Sequence, residues 1–206
     1  MVLIKNKIKK MSSTNRGYDR HKSDYYVTPQ KDIEEFIYHL QYTVLDKDTS
    51  SMGKLDWLDP CCGGDAENEA SYLSVIKRFF EPNNICGIDI REDSKADVVM
   101  NYLDCEKENM NSHDIIISNP PFYLAEDFIK KSIDFVNDGG YVVMLLRLNF
   151  FGSKKRKQIF ENNMPEYCFV HHKRISFMKG ATDSIEYAHF VWKKGVNNDY
   201  CKTYVI

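Results

Sequence analysis

Short apolar runs alternate with segments of helical periodicity along most of this 206-residue chain, and this alternation constrains the fold more than any other feature. The runs predict strands at 55–59, 85–90, 97–100, 115–118, 141–146, 167–171 and 187–192. Strands that alternate with helices are typical of a parallel sheet with helices on both of its faces. The pattern therefore predicts an α/β fold of the doubly wound class.

Length and composition predict one ordinary globular domain. The chain contains 43% hydrophobic and 28% charged residues, which excludes a disordered or membrane-embedded class. We expect a flexible basic arm at 1–22, followed by a single domain at 23–206. The chain has no apolar run of membrane-spanning length and no secretory signal at its start, so we predict a cytoplasmic protein with no membrane partner. Six unevenly spaced cysteines fit a reducing compartment.

The net charge of -2 provides no overall attraction for nucleic acid, so any basic binding surface must be local. Two stretches are candidates for such a surface, 5–22 and 154–157. Cys168, His171 and His172 lie close together in the sequence, but their spacing matches no zinc-finger pattern. We therefore predict no metal site.

The apolar run at 115–118 ends at Asn119, Pro120, Pro121 and Phe122. Two prolines stop a strand abruptly, which predicts that these four residues form a loop at the carboxyl end of a buried strand. Open α/β sheets bind their ligands at that edge. The loop is therefore the first candidate for a functional site.

The side chains of this loop suit a flat base that bears an amino group. The exocyclic amine of adenine is a poor nucleophile because its lone pair is delocalised into the ring. The side-chain oxygen of Asn119 and the carbonyl of Pro120 can accept its two hydrogens and free the lone pair for attack. Phe122 would stack on the base. A base in a duplex must first be flipped out, and Phe177 is the candidate for a second stacking aromatic.

A glycine turn follows the predicted strand at 55–59. The turn occupies 60–64, a helix is predicted at 66–80, and the next strand, at 85–90, contains Asp89. Strand, glycine turn and helix form the first half of a nucleotide-binding unit. In such a unit Asp89 would accept hydrogen bonds from ribose hydroxyls.

A further helix start precedes this unit. Apolar residues at helical spacing follow Pro29, which suits the first turn of a helix, and Thr28 is predicted to cap that helix. Free backbone donors at a helix start can hold an anion. The segment is therefore a second candidate for ligand binding.

Four motifs, taken in order, carry a resemblance to a known family; they lie at 26–29, 59–64, 87–89 and 119–122. They resemble the class I S-adenosylmethionine-dependent amino-methyltransferases, specifically the adenine-N6 DNA methyltransferases. Later stretches resemble small phage- and prophage-encoded members, at 146–156, 174–177 and 182–192. The resemblance covers about 24–193. It implies a Rossmann-like methyltransferase fold with a mostly parallel seven-stranded sheet, an antiparallel C-terminal strand and no separate target-recognition domain, in a bacterial or phage-infected cell.

The resemblance also implies S-adenosylmethionine as the cofactor, DNA as the more favoured nucleic-acid partner and no obligate protein partner. The implied catalytic residues are Asn119, Pro120, Pro121 and Phe122. The implied cofactor-binding residues are Tyr26, Thr28, Pro29, Asp59, Pro60, Cys61, Gly63, Asp89, Ile90, Asp104 and Asn119. The implied substrate-binding residues are Phe122, Lys154, Lys155, Arg156, Arg174 and Phe177. Within these sets, Ile90 is expected to pack on the cofactor adenine and Asp104 to accept from its amine.

Other functions remain open at this point. The same chemistry suits an adenine in RNA, and it suits the amide of a protein glutamine, whose nitrogen lone pair is equally delocalised. In the family a further glycine usually follows soon after the first in the glycine turn, whereas here Asp65 and Ala66 follow Gly64. The chain is therefore also compatible with a non-catalytic nucleic-acid-binding module of the same fold.

Overall fold

A computed structural model describes residues 25–45, 54–177 and 185–206, so the predicted arm at 1–22 lies outside the described residues. The helices are α1 (Gln30–Thr43), α2 (Ser71–Phe79), α3 (Ala125–Phe135) and α4 (Lys157–Asn162). The strands are β1 (Asp56–Asp59), β2 (Asn84–Asp89), β3 (Val98–Val99), β4 (Ile115–Ser118), β5 (Tyr141–Arg147), β6 (Tyr167–Val170), β7 (Tyr187–Lys193) and β8 (Lys202–Val205). Short 3₁₀-helical turns span Tyr102–Asp104, Lys107–Asn109, Leu148–Phe151 and Lys154–Arg156. Among these described residues, no helix is both long and apolar enough to cross a membrane.

The strands form one eight-stranded sheet in the order β3-β2-β1-β4-β5-β7-β6-β8. β7 runs antiparallel to its neighbours β5 and β6, and the other neighbouring pairs are parallel. The predicted fold class is therefore confirmed. The sheet has one strand more than predicted, because all four residues of β8 are exposed and show no buried apolar pattern.

The sheet separates two layers of core. Successive side chains of a strand point to opposite faces, so Ile116 packs with α3 whereas Ile115 and Ile117 pack with α1 and α2. Every residue of β4 is buried, as in a central parallel strand covered on both faces. The helices on the two faces therefore clamp the strands whose ends carry the candidate site.

β1, β2 and β4 are neighbours and end at the same edge of the sheet. The pairing register aligns Asp59 with Gly87 and Leu58 with Ile116, so the residues that follow these strands meet in space. A side chain at Gly87 would lie 2.7 Å from Leu73 and 2.8 Å from the Cys62 sulfur. Glycine is therefore required there for the turn after β1 to pack against β2.

Two predicted helices are shorter than their sequence patterns indicated. Helix α2 begins at Ser71 rather than near Ala66, because Asp65 accepts hydrogen bonds from the backbone amides of Glu67 and Asn68 and forms a turn. The predicted basic helix at 149–163 contains two 3₁₀-helical turns before the short α4. The sequence therefore predicted the positions of these elements better than their extents.

Leu58 provides a test of the central packing. Its side chain is fully buried in β1, between β2 and β4. We expect Leu58→Ala to lower the free energy of unfolding by about 2–5 kcal/mol, through lost apolar burial and the cavity left behind. Val196, which is 42% exposed, is the control, and Val196→Ala should change stability by less than about 0.5 kcal/mol. Urea denaturation measures both, and equal losses would contradict the proposed core.

Candidate active site

A cleft of about 250 Å³ lies at the carboxyl-terminal edge of β1, β2 and β4. It brings together most of the residues that the sequence indicated. Those that line it are Tyr26, Thr28, Asp59, Pro60, Cys61, Gly63, Asp89, Ile90, Asn119, Pro120, Pro121, Phe122 and Phe177. The edge of the sheet is the place where open α/β proteins bind ligands.

Asn119 presents an unpaired acceptor in this cleft. Its amide nitrogen donates a hydrogen bond to the Thr28 hydroxyl at 3.0 Å, whereas its side-chain oxygen is buried and has no hydrogen-bond partner among the described residues. A buried polar atom without a partner is costly, so such an atom in a cleft marks a place for a ligand donor. In the turn that follows the loop, the carbonyl of Pro121 accepts a hydrogen bond from the backbone amide of Leu124.

Thr28 is not the cap of α1, which corrects the sequence-based expectation. The residue that caps the helix start is Pro29, whose carbonyl accepts from the amides of Asp32 and Ile33. The Thr28 side chain is almost fully buried, and its hydroxyl accepts a hydrogen bond from the Asn119 side chain instead. The N-terminal segment thereby fixes the orientation of the Asn119 amide.

A buried network joins the ends of β1 and β4 beneath the loop. The Ser118 hydroxyl and the Cys61 backbone amide both donate to one oxygen of Asp59, at 2.5 and 3.1 Å. The Cys61 sulfur lies 2.8 Å from the Ser118 hydroxyl and also contacts the Asn119 carbonyl. The two turns that border the cleft are thereby held together.

Burial dominates the acid–base properties of this network. It raises the pKa of Asp59 to about 7, although the hydrogen bonds from Ser118 and the Cys61 amide act in the opposite direction. Burial also raises the pKa of the Cys61 thiol, and the nearby Asp59 carboxylate adds to this effect. Cys61 therefore remains a thiol at neutral pH and is not an activated nucleophile.

Asp89 anchors the glycine turn. One of its carboxylate oxygens accepts from the Gly63 amide and the other from the Arg91 amide, both at 2.9 Å. Gly63 has a φ of 66°, and a side chain there would lie 2.7 Å from the ring of Tyr25. Since each carboxylate oxygen can accept a second hydrogen bond, Asp89 retains acceptor capacity toward the cleft.

The glycine turn lacks the further glycine of the family pattern. It is held instead by contacts among Tyr25, Asp65 and Arg91. Asp65 accepts from the Tyr25 hydroxyl at 3.3 Å, and hydrogen bonds from Asn68 and the Glu67 amide lower its pKa. The Arg91 guanidinium lies 3.8 Å from the centre of the Tyr25 ring and donates to the Gly64 carbonyl at 3.1 Å. The sequence pattern did not indicate Tyr25 or Arg91, although Arg91 directly follows the strand that ends near Asp89.

Aromatic rings surround the mouth of the cleft beside the loop. Tyr187 lies 5.6 Å from Phe122 and 5.0 Å from Phe177, and Tyr26 lies 6.4 Å from Phe177, all measured between ring centres. The Arg147 guanidinium lies 4.7 Å from the centre of the Phe122 ring. The structure therefore brings Phe122 and Phe177 together through Tyr187, across a large separation in sequence.

Besides the basic run at 154–156, three predicted residues lie outside the lining of the cleft. Pro29 caps α1, and Arg174 is exposed and pairs with Glu186 at 3.3 Å. Asp104 is exposed, and its carboxylate accepts a hydrogen bond from the side-chain amide of Asn101 at 2.8 Å. Asn101, which the sequence pattern did not indicate, lines the cleft in its place.

The basic run does not form one continuous surface toward the cleft. Lys154 lines a separate shallow groove together with Phe151, and Lys155 is exposed. Arg156 folds back, donates to the Phe150 carbonyl at 3.0 Å and covers the Phe150 ring. Part of the predicted phosphate-binding charge therefore supports the protein's own packing.

No family model and no curated protein sequence matches this chain, but solved structures do. A protein from Listeria monocytogenes, provisionally described as a class I S-adenosylmethionine-dependent methyltransferase, has a TM-score of 0.61 and 16% identity, over 87% of this chain and 65% of that chain. The M protein of the type I restriction enzyme EcoKI has a TM-score of 0.64 and 14% identity, over 87% of this chain and 48% of that chain. A protein from Pyrococcus horikoshii, provisionally described as an RNA methyltransferase, has a TM-score of 0.59 and 14% identity, over 89% and 95%.

At these identities the likeness shows the fold alone. The described sheet and helices have the Rossmann-like architecture of methyltransferases, which confirms the fold implied by the sequence motifs. The chain spans about two thirds of the length of the Listeria protein and about half of the length of the EcoKI M protein.

Asp59 predicts a pH dependence of stability. The folded protein keeps this carboxyl protonated up to about pH 7, whereas the unfolded chain ionises it near the ordinary pKa of 3.8. Between these values the folded state binds the extra proton, so this carboxyl's contribution to the free energy of unfolding falls as pH rises. We expect Asp59→Asn, which keeps an acceptor oxygen, to lose part of this decline.

Urea denaturation at about pH 5 and about pH 8 measures the difference. Asp138→Asn, at a side chain that is 99% exposed, is the matched control and should retain the wild-type decline. If Asp59→Asn declines as steeply as the wild type, Asp59 is not the group that titrates.

Proposed function

We propose that this protein transfers a methyl group from S-adenosylmethionine to the exocyclic N6 amine of adenine in DNA. The observation that carries the proposal is the side-chain oxygen of Asn119, which is buried in the cleft and has no hydrogen-bond partner within residues 25–45, 54–177 and 185–206. An amine hydrogen of the target base would satisfy this oxygen. The methyltransferase fold of the chain supports the same chemistry.

The residues around the glycine turn fit S-adenosylmethionine. Asp89 has free lone pairs for the ribose hydroxyls, and the positive φ angles of Gly63 and Gly64 let the backbone approach a ligand closely. Ile90 lines the cleft and is 62% exposed, which leaves an apolar surface for the adenine of the cofactor. When bound, the cofactor supplies an electrophilic methyl group on a sulfonium.

Asn119 and Pro120 would prepare the amine for attack. Their oxygens accept its two hydrogens, which draws the nitrogen toward tetrahedral geometry and localises its lone pair. Thr28 fixes the Asn119 amide at 3.0 Å, so the acceptor is oriented before the base arrives. An acceptor that is already oriented and shielded from water stabilises developing positive charge without reorganisation. Positioning and electrostatics therefore account for the catalysis, with no covalent protein intermediate.

The aromatic rings at the cleft mouth would hold the target base. Phe122 offers one stacking ring, with the Arg147 guanidinium over it and Tyr187 beside it. Phe177 lines the cleft on the other side of Tyr187. An extruded base is commonly held between aromatic faces in this way, so the arrangement favours a nucleobase over a flexible glutamine side chain.

The choice of DNA rests on two supports. The order of the motifs resembles the adenine-N6 DNA methyltransferases, and the solved structures of similar fold include the M protein of EcoKI. Apart from these two supports, the exposed Lys154 and Lys155 provide cations for phosphate contacts with DNA or RNA alike. RNA and protein glutamine are the other outcomes that the following assay separates.

Replacing Asn119 tests the mechanism. We expect Asn119→Ala to lower the rate of methyl transfer by about 10²–10³-fold, since one preoriented acceptor of the transition state is lost. The assay follows labelled methyl from S-adenosylmethionine into unmethylated DNA, with RNA and protein present as competitors. Label recovered as N6-methyladenine in DNA is the expected result.

Asn111→Ala is the matched control, because Asn111 is exposed and lies before β4, at the opposite end from the loop. It should transfer methyl at the wild-type rate. An Asn119→Ala protein that methylates as fast as wild type would falsify the proposed role of the loop. Label in RNA or in glutamine would keep the chemistry and change the substrate.

Calorimetry with S-adenosylmethionine tests the cofactor site. We expect Asp89→Asn to weaken binding about tenfold or more, because a charged acceptor of the ribose hydroxyls is lost. Asp138→Asn is the control, since the Asp138 side chain is 99% exposed and lies outside the lining of the cleft, whereas Asp104→Asn tests a residue that holds Asn101. An equal loss in Asp104→Asn would support the role that the sequence alone indicated for Asp104. No detectable binding by the wild type would favour a non-catalytic module.

A further inference from the structure

Three potential metal ligands converge outside the lining of the cleft, at one end of the buried pair His171 and His189. Asp32 and Glu35 lie three residues apart on α1, which places them on one face of the helix. His171 follows β6 and joins them, so that one ligand atom from each residue lies within 4.8 Å of the others. The three residues supply two carboxylates and one imidazole.

The carboxylates carry a local electrostatic cost that a cation would relieve. Their carboxylate oxygens lie within 4.8 Å of each other, and like charges at this spacing repel. A divalent ion between the carboxylates would neutralise both charges.

His171 provides an independent indication of a ligand. Its side chain is only 4% exposed, and its Nε2 atom lies 2.8 Å from Nδ1 of His189. Its Nδ1 atom has no hydrogen-bond partner in the described part of the chain. Metal-binding histidines typically have one ring nitrogen held by a hydrogen bond and the other directed at the ion.

The support for His171 continues through the core. The second nitrogen of His189 lies 2.8 Å from the hydroxyl of Tyr72, and the His189 ring stacks on Phe36 with ring centres 3.8 Å apart. His189 is fully buried, so its position is fixed by these contacts. Tyr72 lines the cleft. The orientation of His171 is therefore set by a series of hydrogen bonds that begins at Tyr72 in the cleft wall and passes through His189.

We propose that Asp32, Glu35 and His171 bind a zinc ion through one imidazole nitrogen and two carboxylate oxygens, with water completing the coordination. Zinc accepts this mixed set of nitrogen and oxygen ligands. The sequence pattern indicated no metal site because Asp32 and Glu35 are distant from His171 along the chain. The proposal does not rest on the proposed methyl transfer.

The position of the ion indicates its effect. Helix α1 begins directly after the segment that contains Thr28, and His171 leads along the chain to Phe177. Thr28 and Phe177 both line the cleft. An ion at this position would tie together two segments that border the cleft and stabilise the folded protein by binding only to it.

Calorimetry with zinc chloride on the full chain, after removal of metals with a chelator, tests the proposal. We expect saturable binding of one ion, weakened about tenfold or more by Glu35→Gln and by Asp32→Asn. Glu34→Gln is the matched control, since Glu34 lies on the same helix and pairs with Arg78 at 2.7 Å. Glu35 is exposed, so its replacement is not expected to disturb the fold.

Cobalt spectroscopy separates this site from the six cysteines of the chain. Cobalt bound to nitrogen and oxygen ligands gives visible bands without the near-ultraviolet thiolate charge-transfer band, and Glu35→Gln should remove these bands. A thiolate band, equal binding by Glu35→Gln and wild type, or no saturable binding would each overturn the proposal. None of these measurements depends on methyl transfer.

Discussion

The hydrogen bond from Ser118 to Asp59 joins the two strand ends on which the cleft depends. β1 and β4 pair in parallel, so their carboxyl ends meet, and the turn after each strand must pack against the other. Cys61 contributes its backbone amide to Asp59 and its sulfur to the Asn119 carbonyl. The glycine turn and the loop that contains Asn119 are therefore parts of one buried network, and neither can move without breaking hydrogen bonds shielded from water.

The cleft combines carboxylates that are hydrogen-bonded within the protein with an acceptor that is left for a ligand. Asp59 and Asp89 each accept hydrogen bonds from the protein, whereas the Asn119 side-chain oxygen is buried without a partner in the part of the chain that the structure describes. A buried acceptor that lacks a donor lowers stability, and this cost is tolerated where a ligand later supplies the donor. Thr28 adds orientation, because it holds the amide nitrogen and leaves the oxygen as the free end.

The buried histidine pair connects the cleft wall to the carboxylates near the start of α1. Tyr72 forms part of the cleft, His189 lies in the core, and His171 reaches the carboxylates of α1. Burial lowers the pKa of both histidines, so both rings are neutral at physiological pH. A neutral chain of hydrogen bonds crosses the core without the cost of a buried charge. Its geometry sets the position of one ligand of the proposed zinc site.

Local pattern was sufficient to predict where β1 to β7 lie along the chain, the loop that two prolines impose after β4 and the acidic residues at the strand ends, because these features depend on residues adjacent in sequence. The exposed strand β8 had no apolar pattern to reveal it. Tertiary structure alone decided that Thr28 holds Asn119, that Asn101 rather than Asp104 lines the cleft and that His171 faces α1. These contacts join distant parts of the chain. They depend on strand register and helix packing, which local periodicity does not encode.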